Sequence, residues 1–344
     1  MTTKVIKETH TANSEEKSIL KSGYILDTIA QLVPPPKTGA LEGLKKRAKN
    51  QYFSKKLAQK LSWLGDESPL YKAYKRTLFD CGSIILQEGN KTKSGYCNAR
   101  WCNTCNRMRT AKLINGYKSP LESFQDPYFV TLTFPNVNGS ELSQSIKKMI
   151  QNAVLIIKSR RKNTAINGIR KIECTYNEER DDYHPHFHFI IDGKENAEYV
   201  RNEWLKRYET AETWSQDIRK ADKGSMIELF KYTTKLVSKS KRGYDVYVYA
   251  LDIIFNAMYG IRTFQSFGKV RMVKEDIENL VTEEFTDLPN YPDAVAWQWI
   301  EKDWINMLDG NKLTGYEPSE EIKKLTTEKM ILKKIKKNIL IEDS

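Results

Sequence analysis

The chain has 344 residues, of which 40% are hydrophobic and 29% are charged, and its formal net charge is +12. This composition is sufficient for one large domain or two smaller ones, each with its own core. The excess of basic residues favours a polyanionic partner, and nucleic acid is a better candidate than an acidic membrane surface.

The N-terminal residues MTTKVIKETHTANSEEKSIL lack the apolar stretch of a secretory signal, and the chain has no run of eighteen apolar residues that would span a membrane. We therefore expect a cytoplasmic protein with no membrane partner. In that compartment the five cysteines are reduced, so a disulfide framework is not expected.

The composition divides the chain into four segments. Residues 1–40 are polar, contain three consecutive prolines near their end and are expected to form a flexible tail. Residues 41–115 combine lysine-rich helical spacing, typical of a basic helical hairpin, with a cysteine-rich module. Residues 120–275 alternate between strand and helix patterns, and residues 276–344 are charged and predicted to be helical.

Four of the five cysteines lie close together, in CGSIILQEGNKTKSGYCNARWCNTC. They are Cys81, Cys97, Cys102 and Cys105, separated by gaps of fifteen, four and two residues. Zinc requires four soft ligands in a tetrahedron, and closely spaced cysteine pairs supply them with little loss of loop entropy. The alternative is a set of buried cysteines without a metal, but the polar and basic surroundings favour a structural zinc site.

The cysteine segment is also strongly basic, with no acidic residue between positions 91 and 112. A basic module held together by a metal suits contacts with DNA phosphates. The candidate residues for these contacts are Arg100, Arg107 and Arg109. The nearby Tyr96 and Trp101 either stack on bases or belong to a core, and the sequence leaves both interpretations open.

Residues 120–275 contain the pattern of an α+β domain with an antiparallel sheet. Strands are predicted at YFVTLTF, IRKIECTY, HPHFHFII and RTFQSFGKVR, which are residues 128–134, 169–176, 184–191 and 262–271. Helices are predicted by apolar periodicity at residues 140–160, 196–215, 225–238 and 247–260. The polar NEERDDY between the second and third strands predicts that these two strands form a hairpin.

Three of the four histidines lie at alternating positions in YHPHFHFIID. Because side chains alternate between the faces of a strand, His184, His186 and His188 share one face, while the intervening phenylalanines face a core. Two such imidazoles can bind one metal ion, and Glu173 on the preceding strand is the best candidate for a third ligand. The alternative is a row of surface histidines. A site with two histidines and one carboxylate keeps open positions for a phosphate oxygen.

The predicted helix SMIELFKYTTKLVSK places Glu228, Tyr232 and Lys235 on one face, at spacings of four and three residues. Tyrosine is a weak nucleophile at its ordinary pKa of about 10, but a nearby lysine and a metal-bound phosphate favour the phenolate. A carboxylate one turn away suits a general base for water or a DNA hydroxyl. Taken alone, this stretch is more typical of an ordinary exposed helix than of a catalytic one.

In their order along the chain, TLTFP, HPHFHFII and KYTTK resemble the three motifs of the HUH endonucleases, in which one hydrophobic residue separates two histidines. Here the histidine pair is His186 and His188. More narrowly, CNARWCNTCNRMR, ELFKYTTK and ALDIIFNAMYGIRTFQSFGKV are similar to the initiators of rolling-circle plasmid replication that carry an upstream cysteine cluster. The resemblance covers residues 41–275 approximately.

This resemblance implies an antiparallel sheet with the two histidines on a central strand and helices on one side. It implies an enzyme that nicks one strand of a single-stranded or hairpin origin through Tyr232, which leaves a 5′-phosphotyrosine and a free 3′-OH primer. It also implies Mg²⁺ or Mn²⁺ held by His186 and His188, and a host helicase and replication machinery as partners. Glu228 occupies a position where some members have a second tyrosine, which favours termination by glutamate-activated water.

Two other interpretations remain open at this point. A related HUH relaxase or single-strand transposase would use the same chemistry in a different process. A non-catalytic, zinc-stabilised DNA-binding regulator would bind an origin without cleaving it, and its binding would survive replacement of Tyr232.

Overall fold

The computed structural model describes residues 40–89, 91–160, 165–209, 211–230, 236–240, 243–273 and 291–332. Within these ranges the fold is α+β, with helices flanking an antiparallel sheet, as the sequence predicts. The expected N-terminal tail lies outside the described residues up to position 39, as does the lysine-rich C-terminal end from position 333.

The described part of the chain contains eight α-helices, two short 3₁₀ helices and twelve strands. The helices are α1 (Ala40–Ser62), α2 (Tyr71–Phe79), α3 (Asn103–Glu122), α4 (Leu142–Ser159), α5 (Lys194–Arg207), α6 (Lys223–Phe230), α7 (Val248–Ala257) and α8 (Glu320–Thr327). The strands are β1 (Ile84–Gly89), β2 (Lys91–Ser94), β3 (Pro127–Thr133), β4 (Gly168–Asn177), β5 (Asp182–Asp192), β6 (Asp217–Lys220), β7 (Ser238–Ser240), β8 (Gly243–Tyr247), β9 (Phe264–Phe267), β10 (Tyr291–Ile300), β11 (Asp303–Asn306) and β12 (Met330–Ile331).

The main sheet has five antiparallel strands in the order β6-β3-β5-β4-β9. The strand β5, which carries the three histidines, is therefore central. The predicted hairpin between β4 and β5 is confirmed, and its register pairs Glu173 with His186. Asp181, in the turn between the two strands, has a positive φ of 56°, a conformation that aspartate tolerates better than most side chains.

Alternation along β5 sends its apolar residues into the largest core. Phe187, Phe189 and Ile191 are fully buried against α4, α5 and α7. Full burial of each such side chain stabilises the fold by about 1.5–3 kcal/mol.

A second, smaller core lies on the opposite face of the sheet, where Phe129 and Ile190 contact α3 and α6. Helices therefore cover both faces rather than the one side that the resemblance implies. The reason is that neighbouring strands carry apolar residues on both faces, and each face must be buried.

The helices α1 and α2 form the predicted hairpin, and α2 is tied to α7 of the main domain. The carboxylate Oδ1 of Asp252 accepts hydrogen bonds from Ser68 Oγ at 2.6 Å and from Tyr74 Oη at 2.5 Å. Trp101 lies in the same cluster, with its ring 4.6 Å from that of Tyr74 and 5.3 Å from that of Phe255. The question left open for Trp101 is therefore resolved: it is a core residue.

The C-terminal segment differs from the helical prediction. Within its described residues, 291–332, α8 is the only α-helix, whereas β10 and β11 are strands that join β1 and β2 in a four-stranded sheet with the order β11-β10-β1-β2. The stretch AVAWQWI alternates in the manner of a strand, with Val295 and Trp297 buried against Ile85 and α1. The many charged residues around this stretch favoured a helix in the sequence analysis, so its alternation was not recognised.

The remaining strands form a small sheet in which β8 pairs with β7 and, in parallel, with β12. None of the helices within the described ranges is long and apolar enough to cross a membrane.

Candidate active site and cysteine cluster

Two rows of polar side chains cross the three central strands of the main sheet. In one row, Thr133, His186 and Glu173 are direct cross-strand partners. In the next row, Thr131, His188 and Lys171 are partners in the same way. Because directly opposed residues of a sheet share a face, these six side chains converge on the face that α6 covers.

The two histidines of the rows face the Glu173 carboxylate with the same ring nitrogen. Glu173 Oε2 lies 3.4 Å from Nε2 of His186 and 3.7 Å from Nε2 of His188. The opposite nitrogen of each ring has a partner of its own: Nδ1 of His186 lies 3.1 Å from the carbonyl oxygen of His184, and Nδ1 of His188 lies 3.2 Å from Thr131 Oγ1. A carbonyl only accepts, so Nδ1 of His186 carries the proton and its Nε2 holds a lone pair when the ring is neutral.

A lone pair facing a carboxylate at this distance is repulsive unless a proton or a cation lies between them. Nε2 of His188 is buried and has no hydrogen-bond partner among the described residues. Polar groups buried in this way normally have a partner. The donor set of two imidazoles and one carboxylate suits a divalent cation, so Glu173, His186 and His188 fit a metal site.

Lys171 completes this site from a fully buried position on β4. Its ammonium pairs with Glu173 and donates a hydrogen bond of 2.8 Å to the carbonyl oxygen of Glu228. Burial raises the pKa of the Glu173 carboxyl, but the His186 and His188 rings, when they carry a proton on Nε2, and the Lys171 charge hold that pKa well below its usual range. Glu173 is therefore ionised, and Lys171 connects it to α6.

His184 stands apart from the pair. Its Nδ1 lies 2.7 Å from Asn136 Oδ1, and its ring stacks on that of His186 with centroids 5.2 Å apart. Burial, together with the nearby His186, lowers the pKa of His184 to about 4. His184 does not belong to the group of ligand atoms that Glu173, His186 and His188 form.

The helix α6 brings Glu228 to the edge of the site, with its Oε1 3.8 Å from Nε2 of His188. Asp222 caps the start of this helix: its Oδ1 accepts hydrogen bonds from the backbone N–H and the hydroxyl of Ser225 at 2.7 and 2.6 Å. Tyr232 and Lys235, the other two candidate catalytic residues, lie outside the described residues.

The four clustered cysteines converge on one point, next to the start of α3. Their Sγ–Sγ separations are 3.7 Å for Cys81 and Cys102, 3.5 Å for Cys81 and Cys105, and 3.6 Å for Cys97 and Cys105. A zinc tetrahedron with Zn–S bonds of about 2.3 Å has edges of about 3.8 Å. The four thiols therefore fit zinc with little adjustment.

The surroundings of the cluster also suit four thiolates. Cys102 caps α3, and its Sγ accepts a hydrogen bond from the backbone N–H of Cys105 at 3.5 Å, while Cys97 Sγ accepts one from Ala99 at 3.4 Å. The buried Lys55 donates hydrogen bonds to Leu78 and Ser83 beside the cluster, where its charge offsets that of thiolates.

The arginines proposed as DNA contacts have different surroundings. Arg100 donates hydrogen bonds to the carbonyl oxygens of Met258 and Ile261 at the end of α7, so its guanidinium is occupied within the protein. Arg109 donates to Asn106 at 2.7 Å and to Asn98 at 2.5 Å. For Arg107 no hydrogen bond or ion pair is found among the described residues. The interpretation of Arg100 as a phosphate contact is therefore not supported by its geometry.

Sequence reasoning missed Lys171, Thr131 and Asn136. Lys171 had a detectable signal, because it stands two residues before Glu173 in IRKIECTY and so shares its face of the strand. Thr131 and Asn136 have no such signal, since only the pairing of β3 with β5 brings them to the histidines.

Comparison with known proteins supplies the context of this site. The family model described as "Replication protein" matches residues 89–296. A "Protein rep" from Staphylococcus aureus is 30% identical over 194 residues, which are 47% of this chain and 84% of that protein. A "Protein rep" from Bacillus amyloliquefaciens is 29% identical over 184 residues, covering 52% of this chain and 50% of that protein.

A further "Protein rep", from Streptococcus pneumoniae, is 24% identical over 207 residues, which cover 53% of this chain and 63% of that protein. The chain thus spans most of the staphylococcal relative but about half of the one from Bacillus amyloliquefaciens. No solved structure matches the chain at a comparable level of significance. Because the family model covers more than half of the chain and includes both the cysteine cluster from Cys97 onward and the histidine strand, the chain belongs to the replication protein (Rep) family of plasmid replication initiators.

Proposed function

We propose that this initiator nicks one DNA strand at the plasmid's replication origin by rolling-circle chemistry. In this reaction the hydroxyl oxygen of Tyr232 bonds to the scissile phosphorus while the bond from phosphorus to the 3′ oxygen breaks. The tyrosine gives up its proton and the departing 3′ oxygen gains one. The products are a 5′-phosphotyrosine and a free 3′-OH that primes synthesis.

One observation carries the proposal: Glu173, His186 and His188 converge on the central strands with their Nε2 atoms and one carboxylate oxygen facing each other. When bound there, Mg²⁺ or Mn²⁺ would polarise a non-bridging oxygen of the scissile phosphate. His184, predicted as a fourth metal residue, would act through Asn136 and through its stacking on His186.

The chain's own residues would prepare the site for this step. Lys171 pairs with the Glu173 carboxylate and connects it to the backbone of α6 at Glu228. The anchored helix α6 ends at Phe230, two residues before the proposed nucleophile in the sequence. Lys235 would stabilise the phenolate.

Glu228 is proposed as the general base of the closing step. Its carboxylate lies 3.8 Å from His188, at the rim of the site, and is partly exposed to solvent. From this position it would take a proton from water or from a DNA hydroxyl that attacks the phosphotyrosine and releases the enzyme.

The cysteine cluster is proposed to hold a structural zinc ion that keeps the basic module folded against the endonuclease domain. Cys81, Cys97, Cys102 and Cys105 would be its ligands, and four thiolates leave no position open for catalysis. Arg107 remains the best-placed arginine of this module for a DNA phosphate. Origin DNA and a host helicase are the proposed partners.

The test uses a labelled single-stranded origin oligonucleotide with Mn²⁺ or Mg²⁺, followed by a denaturing gel. Wild type is expected to form a metal-dependent covalent protein–DNA band that Tyr232→Phe abolishes. Tyr244→Phe is the matched control, because Tyr244 is an exposed tyrosine on β8, and it should keep the band.

A band that survives Tyr232→Phe would assign the nucleophile to another tyrosine. If wild type binds the origin but forms no band and no nick, the non-catalytic regulator is the correct function. Restoration of replication to a plasmid that lacks its initiator separates a replication initiator from a relaxase or a transposase.

A further inference from the structure

A basic cleft lies on the face of the main sheet opposite the histidines, between α4, β4 and β9. Its volume is about 300 Å³, and two isoleucines form part of its wall. The polar residues that line it are Lys147, Gln151, Arg170, Arg262 and Gln265. Arg170 neighbours Lys171 on β4, so alternation turns the two side chains to opposite faces. The cleft is therefore separate from the site of Glu173, His186 and His188.

Arg170 is the buried member of this cleft, with only 2% of its surface exposed. Its Nη2 donates a hydrogen bond of 2.7 Å to Gln265 Oε1, and its guanidinium lies 5.4 Å from the ring centre of Phe187. Its Nη1 is buried and has no hydrogen-bond partner in the described part of the chain. A buried charged donor without a partner is costly, so its presence calls for an acceptor in the cleft.

The charges around Arg170 point to the same conclusion. Burial and, after it, the nearby Arg262 guanidinium lower the pKa of Arg170 to about 10, so two cations repel each other here. Lys147 adds a third cation at the exposed rim. Within the described ranges, no carboxylate forms an ion pair with any of these three side chains. Three cations without a carboxylate partner in the described part of the chain make the cleft complementary to a negatively charged ligand.

We propose that this cleft is a binding site for a phosphate group, held by Arg170, Arg262 and Lys147, with Gln151 and Gln265 as further donors. Guanidinium groups suit phosphate because their donors form parallel pairs of hydrogen bonds to its oxygens. The proposal is independent of the nicking reaction, since it uses none of the residues assigned to that site.

The cleft has room for a ligand larger than inorganic phosphate. About 300 Å³ is at the lower end of pockets that hold small organic ligands, and it suits a single nucleotide unit. That unit is either a free nucleotide or one phosphodiester of a DNA strand that passes over the back of the sheet. Both sources share the phosphate chemistry, and the experiment separates them.

The experiment is isothermal titration of the full chain, in low-salt buffer without divalent cations. Three probes are used: inorganic phosphate, deoxyadenosine monophosphate and a five-residue oligothymidylate. The variant Lys147→Gln/Arg262→Gln removes the two exposed cations, and it leaves the buried Arg170 and its contact with Phe187 intact. The control Lys148→Gln/Lys158→Gln removes two exposed charges from α4 outside the cleft.

Binding of at least one probe by wild type is expected, and the cleft variant should bind it at least tenfold more weakly, because two of the three cations that hold the phosphate are removed. The control should bind as wild type does, and all three proteins should have the same melting temperature.

If the cleft variant binds deoxyadenosine monophosphate more weakly than wild type does, the ligand is a free nucleotide. If its binding is weaker for the oligonucleotide alone, the ligand is a DNA phosphodiester. Absence of binding by wild type to all three probes, or equal weakening in the control, overturns the proposal.

Discussion

The other ring nitrogen of His186 and of His188 already has a partner, and Nε2 of each ring faces the Glu173 carboxylate. The carbonyl oxygen of His184 fixes the proton on Nδ1 of His186, and Thr131 occupies Nδ1 of His188. A metal-binding histidine usually has such a partner, which orients the ring. Nδ1 of His184 also has a partner, Asn136, but His184 lies outside the group of ligand atoms that Glu173, His186 and His188 form.

This difference predicts unequal effects of replacing the three histidines. His186→Ala and His188→Ala should each reduce Mn²⁺ affinity and formation of the covalent product roughly 100-fold or more, since each removes a direct ligand. His184→Ala should reduce Mn²⁺ affinity and formation of the covalent product no more than about tenfold, because His184 contacts His186 but is not itself expected to bind the metal. Titration of Mn²⁺ by calorimetry and the covalent-product gel measure the two effects. Equal losses in all three variants would make His184 a ligand.

Arg100 and Arg107 have contrasting environments in the same basic module. Arg100→Gln should lower the free energy of unfolding by about 1.5–3 kcal/mol, because it removes charge-assisted hydrogen bonds at the end of α7. Arg107→Gln should leave stability within about 0.5 kcal/mol of wild type and reduce the salt dependence of origin binding by about one phosphate contact. Urea denaturation and binding assays at several salt concentrations check both. If Arg100→Gln instead left stability unchanged and reduced the salt dependence of origin binding, Arg100 would be a DNA contact.

Among the elements, α6 is stabilised by contacts from Asp222, the residue before it, and from Lys171 on β4. It has eight residues, which is too short for a helix to be stable by itself. Asp222 holds its beginning through Ser225, and Lys171 holds its middle at Glu228. The position of α6 relative to the histidines is therefore set by these two contacts.

Asp222→Ala should lower stability by about 1 kcal/mol at neutral pH, the usual cost of losing a helix cap. The hydrogen bonds from Ser225 lower the pKa of Asp222 below its ordinary value of 3.8, so the folded state favours the ionised form. The stabilisation is complete above that ordinary value and disappears as the pH falls through the lower folded pKa. The difference between wild type and variant should accordingly shrink below about pH 4, which urea denaturation from pH 7 to pH 3 would reveal. A constant difference would contradict a role for the carboxylate.

At the scale of the whole molecule, the cysteine module is held between the two ends of the described chain. The strand β1, which follows Cys81, pairs with β10, and the helix α1 packs against both. The module therefore depends on contacts across more than two hundred residues as well as on its own cluster. A metal ion bound by the four thiols would further stabilise the cysteine module in this arrangement.

Cys102→Ala should abolish bound zinc and lower the melting temperature markedly, because a structural zinc site contributes to folding directly. Cys174→Ala is the matched control: Cys174 is equally buried but lies in the main core, away from the cluster. Metal analysis should find one zinc per chain in wild type and in the control, and none in Cys102→Ala. Zinc retained at full stoichiometry by Cys102→Ala would show that the four cysteines are not its ligands.

Local patterns were sufficient to predict much of the structure between residues 120 and 275. Alternation placed His186 and His188 on one face and Phe187 on the other, and helical periodicity located α4 and α7. The hairpin between β4 and β5 followed from a short polar turn, which brought Glu173 opposite His186. These features can be predicted because they depend on residues that are close together in the sequence, where the spacing of apolar residues is visible.

By itself, the sequence determined the class of fold, the histidine strand, the cysteine cluster and the carboxylate that faces the histidines. Only the tertiary structure decided the roles of Lys171 and Arg100 and the pairing of β10 with β1. A buried lysine and an exposed one look the same in a sequence, and a strand in a charged segment is recognised only beside its partner. The physical reason is that these features depend on contacts between distant parts of the chain, which no local periodicity encodes.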